Sequence, residues 1–332
     1  MKRLIIGMYI AALAATPAWA QKREVTFAHQ DMMNPFRVVM DTQALERATG
    51  YKINWRKFGG GGDVIRAMAS GDVQIGEAGS SPIAAGVSQG LPIELFWILE
   101  DIADAEALVV HNKSGITSVA GLKGKKIGVP FVSTTHFHLL FAMELSGLKQ
   151  SDAQIVNMRP PEIAAAWERG DLDATFIWDP VLATVKKTGK VLVTSGELSK
   201  KGKATFDGLI VHRNWAAKNK DFMVALVKAL AKGDAEYKAK GKSWTPSSAE
   251  VLSIAKVSGA KPADVLEGMA LYRFPTLQEQ ASRAWLGGGA NGGASKALLE
   301  TSKFLKEQGR IQEVKSEYGS VVNPIYVQAA MK

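Results

Sequence analysis

KIGVPFVSTTHFHLLF, residues 126–141, passes from a strand into a helix through a run of hydrogen-bonding side chains. Residues 126–130 form a short run of β-branched and small residues closed by Pro130, the pattern of a buried strand. From 139 a helical pattern continues through Ala142, Met143 and Leu145 until Gly147 stops it. Ser133, Thr134, Thr135 and His136 occupy the junction. A helix start has unpaired N–H groups and the positive end of the helix dipole, so it favours an anion. Hydroxyls add donors there without adding charge, which suits a weakly basic oxyanion. An ordinary N-cap uses the same residue types, and at this stage both readings stand.

Outward from this stretch, strand and helix alternate. Strands are expected at 25–28, 53–58, 73–76, 93–99 and 107–111, with helices at 35–49 (capped by Asn34), at 63–69 and from Ser81-Pro82 onward. A second run places strands at 126–130, 155–158, 174–178 and 191–194 between helices near 135–146, 161–169 and 179–188. One more strand, 208–212, precedes a change of character: 214–331 is almost entirely amphipathic helix, and the glycines at 287–289 and 292–293 read as a flexible loop. The pattern is that of an α/β protein with two lobes sharing the chain and a helical C-terminal segment.

With 332 residues, the chain is long enough for about two domains. Lys2 and Arg3 precede an apolar run, and 16–20 end in a small-x-small pattern, so residues 1–20 read as a secretory signal peptide cleaved after Ala20. Nothing later approaches the ~18 apolar residues of a membrane span. The chain has no cysteine, which excludes a thiol nucleophile and a lipid-anchored thiol. The net charge of +9 becomes +7 without Lys2 and Arg3. The lysines are scattered singly, with no basic arm and no basic–aromatic alternation, so no nucleic-acid partner is expected.

Gly59 to Gly62 lie between a strand and a helix but lack the Gly-Lys-Ser/Thr ending of a nucleotide loop, and read as a tight turn or a close backbone approach to a small ligand. Gly79-Ser80-Ser81-Pro82 is a second hydroxyl-rich helix start. Ligands of open α/β sheets bind outside the carboxyl ends of strands, so the two junctions are expected to face each other across a cleft. The five histidines show no zinc-binding spacing, no GxSxG occurs, and neither a metal nor a cofactor is expected. Phe58, Phe131 and Trp178 end or follow strands, where pocket walls lie. Glu106, Asp179 and Asp207 fall at strand ends and offer partners for a cation beside the anion site.

WRKF (55–58), SGDVQIGEAGSSP (70–82), EALVV (106–110), VPFVSTTH (129–136), PPEIAAAWERGDLDA (160–174) and FLKEQG (304–309) resemble the periplasmic taurine-binding proteins of ABC importers, over most of the mature chain. The resemblance implies a hinged, two-lobed, type II periplasmic binding fold with its helical C-terminal segment on the first lobe. Lobe 1 would be 21–106 with 213–332, and lobe 2 would be 107–212. It implies a monomer that delivers an aminoalkyl sulfonate to a membrane permease without chemistry of its own. Ser80, Ser81, Thr134 and Thr135 would hold the sulfonate, with Ser133 and His136 beside them. Asp207 and Glu106 would take the amine, with Asp179 as a further candidate, and Gln30, Phe58 and Trp178 would line the pocket. The chain departs from the pattern at the apolar loop 31–34, at Asp179 and at the bare glycines 59–62. Nitrate, bicarbonate, longer alkanesulfonates and amino acid-like ligands stay open. So does an enzyme of the thiamin-pyrimidine synthase type, against which the secretory signal and the missing cysteines argue.

Overall fold

A computed structural model describes residues 23–332; the expected signal peptide lies outside the described residues. Ten strands form two five-stranded sheets of one topology. The first contains β1 (Glu24–His29), β2 (Lys52–Lys57), β3 (Ile75–Gly79), β4 (Ile93–Asp101) and β10 (Phe206–His212), in the order β2-β1-β3-β10-β4. The second contains β5 (Glu106–His111), β6 (Lys126–Val129), β7 (Gln154–Asn157), β8 (Ala174–Trp178) and β9 (Gly189–Thr194), in the order β7-β6-β8-β5-β9. In each sheet four strands run in one direction, and one strand that arrives from the other lobe lies antiparallel between two of them: β10 in the first, β5 in the second. The chain therefore crosses between lobes twice, at 102–105 and at 195–205.

This pairing corrects the expected lobe boundaries. Glu106 opens β5 of the second sheet, and 206–212 is an inner strand of the first. Both strands are apolar and buried on each face, which is why composition does not assign them to a lobe. Along β5, side chains alternate between two cores: Leu108 and Val110 pack with Ile127, Phe137 and Phe176, whereas Ala107 and Val109 pack with Ile163, Trp167 and Ile177.

Other expectations shift locally. The helix read at 35–49 is two, Phe36–Asp41 and Ala44–Thr49, because Gln43 adopts a left-handed conformation at φ 51°. Asn34 makes no cap; its side-chain amide lies 3.4 Å from both Glu100 carboxylate oxygens. Gly287, Gly292 and Gly293 are packed rather than loose, since a Cβ at Gly293 would sit 1.9 Å from the Ala284 carbonyl oxygen, whereas Gly289 faces open space. The C-terminal helices cover the first lobe, with Leu226, Val227, Leu298 and Val327 in its core. Helix Gly293–Glu307 also reaches the second lobe, where the Phe304 ring meets Phe137 edge-on at 4.9 Å.

Candidate functional site

The strand ends of both sheets converge on one cleft. Parallel strands deliver their carboxyl ends: β1 leads to Gln30, β3 ends at Gly79, β6 leads to Ser133 and β8 ends at Trp178. The two crossing strands run the other way and deliver their first residues, Glu106 of β5 and Asp207 of β10. Gln30, Gly79, Glu106, Ser133, Thr134, Trp178 and Asp207 all line a narrow cavity between the lobes, as do Met32, Gly61, Pro82 and Tyr272. Sheet topology alone thus places two acids opposite two helix starts.

The helix starts face each other. A Cβ built on Gly79, which precedes helix Ser80–Ser88, would lie 2.7 Å from Thr134 Cγ2 and 3.2 Å from Asp207 Oδ1. In helix Thr134–Leu145, Ser133 is the cap: its Oγ accepts from the His136 amide at 3.0 Å and donates to the Pro130 carbonyl at 2.6 Å. Thr135 Oγ1 lies 2.7 Å from Ser133 Oγ, so its hydroxyl is spent inside the cap and Thr135 is not on the cavity wall. The first-turn amides of Thr134 and Thr135 cannot be satisfied within the helix. Ser80 and Ser81 are fully buried between the cavity-lining Gly79 and Pro82 without being on the cavity wall themselves, and neither hydroxyl has a hydrogen-bond partner among the described residues.

At the other end the charge does not balance. Arg37, fully buried, donates to both Glu77 oxygens at 2.7 Å and to the Met32 carbonyl at 2.8 Å. Gln30 is fixed on the same glutamate: its amide donates to Glu77 Oε1 at 3.1 Å and its side chain to the Glu77 carbonyl at 3.2 Å. Glu100 stands opposite Asp207 in the β4–β10 register. Burial, reinforced by Asp207 and Glu77, raises the Glu100 carboxyl well above its ordinary range. Burial, with Glu106 and Glu77 nearby, does the same to Asp207, against the opposing pull of Arg37. Burial lifts Glu106 to about 7, against the lowering effect of its hydrogen-bond contacts with Thr134 and Ser195. Four buried acids thus share one buried guanidinium.

Besides Thr135, three expected site residues stand apart. Asp179 spends its carboxylate on the start of helix Val181–Lys186, accepting from the Ala183 amide at 2.8 Å, and burial raises it to about 6. His136 is stacked on Phe131 with ring centroids 4.5 Å apart, and burial with Arg310 nearby lowers it to about 3. Phe58 packs on the first-lobe core beneath the Arg56 guanidinium, 5.3 Å from its ring centroid. Arg37, Glu77, Glu100 and Tyr272 went unread in the sequence. Their signal was a charge set in an apolar run: FRVVM for Arg37, IGEAG for Glu77 and WILED for Glu100. The glycine turn does make a close approach, but to protein: a Cβ at Gly61 would meet Pro82 Cγ at 2.5 Å.

Residues 47–240 match the family model described as NMT1/THI5 like. The taurine-binding periplasmic protein of Escherichia coli (strain K12) is 37% identical over 319 residues, 96% of this chain and 97% of that protein. Among solved structures, the alkanesulfonate-binding protein SsuA of Xanthomonas axonopodis pv. citri, bound to MOPS, superposes with a TM-score of 0.74 at 23% identity, covering 92% of this chain and 98% of its own. The desulfurization enzyme DSZB superposes at 0.63 and 15% identity, over 93% of this chain and 98% of its own. At those identities the structural likeness speaks for the fold alone. By sequence, the chain belongs to the family of the taurine-binding periplasmic protein, within the NMT1/THI5-like proteins.

Proposed function

We propose that the protein captures taurine, or a close aminoalkyl sulfonate, between its lobes in the periplasm and hands it to the permease of an ABC importer. The observation that carries this reading is the polarity of the cavity. One side offers hydroxyls and first-turn amides at two opposed helix starts, and the other offers acids in excess of their one guanidinium. A sulfonate suits the first, and an ammonium restores the balance at the second, because a buried charge must be paired. The Ser80 and Ser81 hydroxyls and the Thr134 amide would hold the sulfonate, with Ser133 fixing that helix start, and Asp207 and Glu106 would take the amine, between Gln30, Trp178 and Tyr272. Thr135 supports Ser133 instead of touching the ligand, and Asp179 serves its helix.

Nitrate or a plain alkanesulfonate would leave Asp207 and Glu106 as neutral acids, whereas an ammonium gains two carboxylate partners there, which favours the zwitterion. An enzyme of the same fold is the second reading; against it stands the absence of cysteine, and among the described residues no cluster of His, Asp and Glu is set to hold a metal. A thermal-shift screen of sulfonates, carboxylates and amines separates these readings, because a ligand of the folded state raises the melting temperature by mass action. Taurine should give the largest shift and be recovered unchanged; a larger shift with nitrate, or turnover, would replace the reading.

A further inference from the structure

Glu106 lines the cavity and also begins a buried chain of hydrogen bonds that the ligand reading leaves unused. Thr134 Oγ1 donates to Oε1, and Ser195 Oγ lies 3.0 Å from Oε2. Beyond it, His138 Nδ1 is 2.7 Å from Ser195 Oγ, and His138 Nε2 is 2.7 Å from the Lys203 carbonyl oxygen. Glu106, Ser195 and His138 are all buried. Ser195 and Lys203 both belong to 195–205, the return crossing between the lobes. The serine sits between the acid and the histidine, which is not the order of a nucleophilic triad.

Counting protons fixes what this chain can be. A carbonyl only accepts, so His138 Nε2 carries a proton; Ser195 has a single one to donate. If His138 is neutral, Nδ1 takes the Ser195 proton, and Glu106 can bond Ser195 Oγ only as the protonated acid. If Glu106 is a carboxylate, Ser195 donates to it, and Nδ1 needs a proton of its own. A carboxylate beside a neutral imidazole leaves one contact with two acceptors facing each other. The complete chain therefore holds one extra proton, on the acid or on the imidazole. Burial settles which: it lowers His138 to about 4 and raises Glu106 to about 7. The charged groups around the chain are Asp207 and, through it, Glu77, Glu100 and Arg37. Tyr272 stands at the cavity wall, and the Lys203 ammonium lies over Phe141 and Phe304 at 5.9 and 5.8 Å.

We propose that Glu106 holds this proton in the ligand-free protein and releases it to solvent when an ammonium binds, while Ser195 turns its hydroxyl proton from His138 to Glu106. The Glu106 O–H bond breaks, the proton leaves to buffer, and the new carboxylate pairs with the ammonium and accepts from Ser195. His138 is then a positioning residue: by competing for the Ser195 proton it sets the pH at which the amine site becomes competent. This rests on reading the cavity as an aminosulfonate site.

Calorimetric titration with taurine in two buffers of unlike ionisation enthalpy reads the released proton. About one more proton per taurine should leave at pH 6 than at pH 8.5, with binding about tenfold weaker at pH 6 than at pH 8. His138→Phe frees Ser195 for Glu106 and should move the midpoint down; Ser195→Ala removes that donor and should move it up. An enthalpy independent of buffer at pH 6, or midpoints that move the same way in both variants, would overturn the relay. If taurine does not bind at any pH, the cavity reading fails instead, and the carboxyl 13C titration of Glu106 in ligand-free protein decides the relay. A midpoint unchanged between wild type and His138→Phe would sink it.

Discussion

Gly79 and Thr134 meet across the cleft so closely that a methyl group on Gly79 would stand 2.7 Å from Thr134 Cγ2. Gly79 has φ −68° and ψ 161°, which alanine adopts without strain, so the glycine serves the approach of the lobes and not a turn. Gly79→Ala should leave the fold intact and hold the lobes apart. Overpacking of this kind costs ~1–3 kcal/mol, and taurine affinity should fall by about tenfold or more. Small-angle scattering with saturating taurine checks it: the variant should stay more extended than wild type, and equal compaction would refute the contact's role.

Ser81 offers a buried hydroxyl with no hydrogen-bond partner among the described residues. Ser81→Ala should therefore leave the melting temperature of ligand-free protein unchanged or slightly higher. With sulfonate bound it removes a charge-assisted hydrogen bond, a loss of ~1.5–3 kcal/mol in affinity. Thermal unfolding and calorimetry together test this. A destabilised empty protein with undiminished binding would make Ser81 structural.

Arg37 and Glu77 form an ion pair with both side chains fully buried. Arg37→Met leaves Glu77 beside Glu100 and Asp207 without its cation, which should cost ~3–5 kcal/mol, a fall of about 10 °C in melting temperature. Adding Glu77→Leu should recover much of it, as measured by circular dichroism. A loss below 1 °C in the single variant would show that the buried pair adds nothing to stability.

The alternation of strand and helix, the two hydroxyl-rich helix starts and their opposition were legible, because each rests on local pattern: Pro130 ending a strand, Ser133 capping a helix, Ser81-Pro82 opening one. Where β10 belongs was not, because a strand apolar on both faces fits either sheet, and only its pairing with Gly76–Gly79 and Ile93–Asp101 decides. Asp179 and Thr135 were read as ligand groups from residue type and place in the chain. Side-chain direction sends one to the Ala183 amide and the other to Ser133. Glu77, Glu100 and Arg37 carry charge inside apolar segments, a signal present in the sequence whose meaning depends on which strands become neighbours.

Stability should fall with pH above neutrality in the empty protein. Glu100, Asp207 and Asp234 are raised well above the ordinary carboxylate range, chiefly by burial. Their unfolded counterparts are already ionised at pH 7, so the folded state binds more protons and loses stability as pH rises through the folded values. His29, His136 and His138, lowered by burial, act oppositely, but only below about pH 6.5, where unfolded histidine gains its proton. Melting temperatures from pH 7 to 9 should decline without taurine and decline less with it. A rise over that interval would contradict the raised acids.

The central claim is that buried acids select a zwitterion, and Asp207 is its sharpest test. Asp207→Asn keeps the shape and removes a charge. Calorimetric titration of taurine and of ethanesulfonate, which lacks the amine, against both proteins forms a double-mutant cycle that isolates the pair. Wild type should prefer taurine. The substitution should weaken taurine by ~2–5 kcal/mol, the range for breaking a buried charge pair, while ethanesulfonate changes little or gains. If the substitution weakens both ligands equally, or if wild type binds ethanesulfonate as tightly as taurine, the acids do not read the amine and the account is wrong.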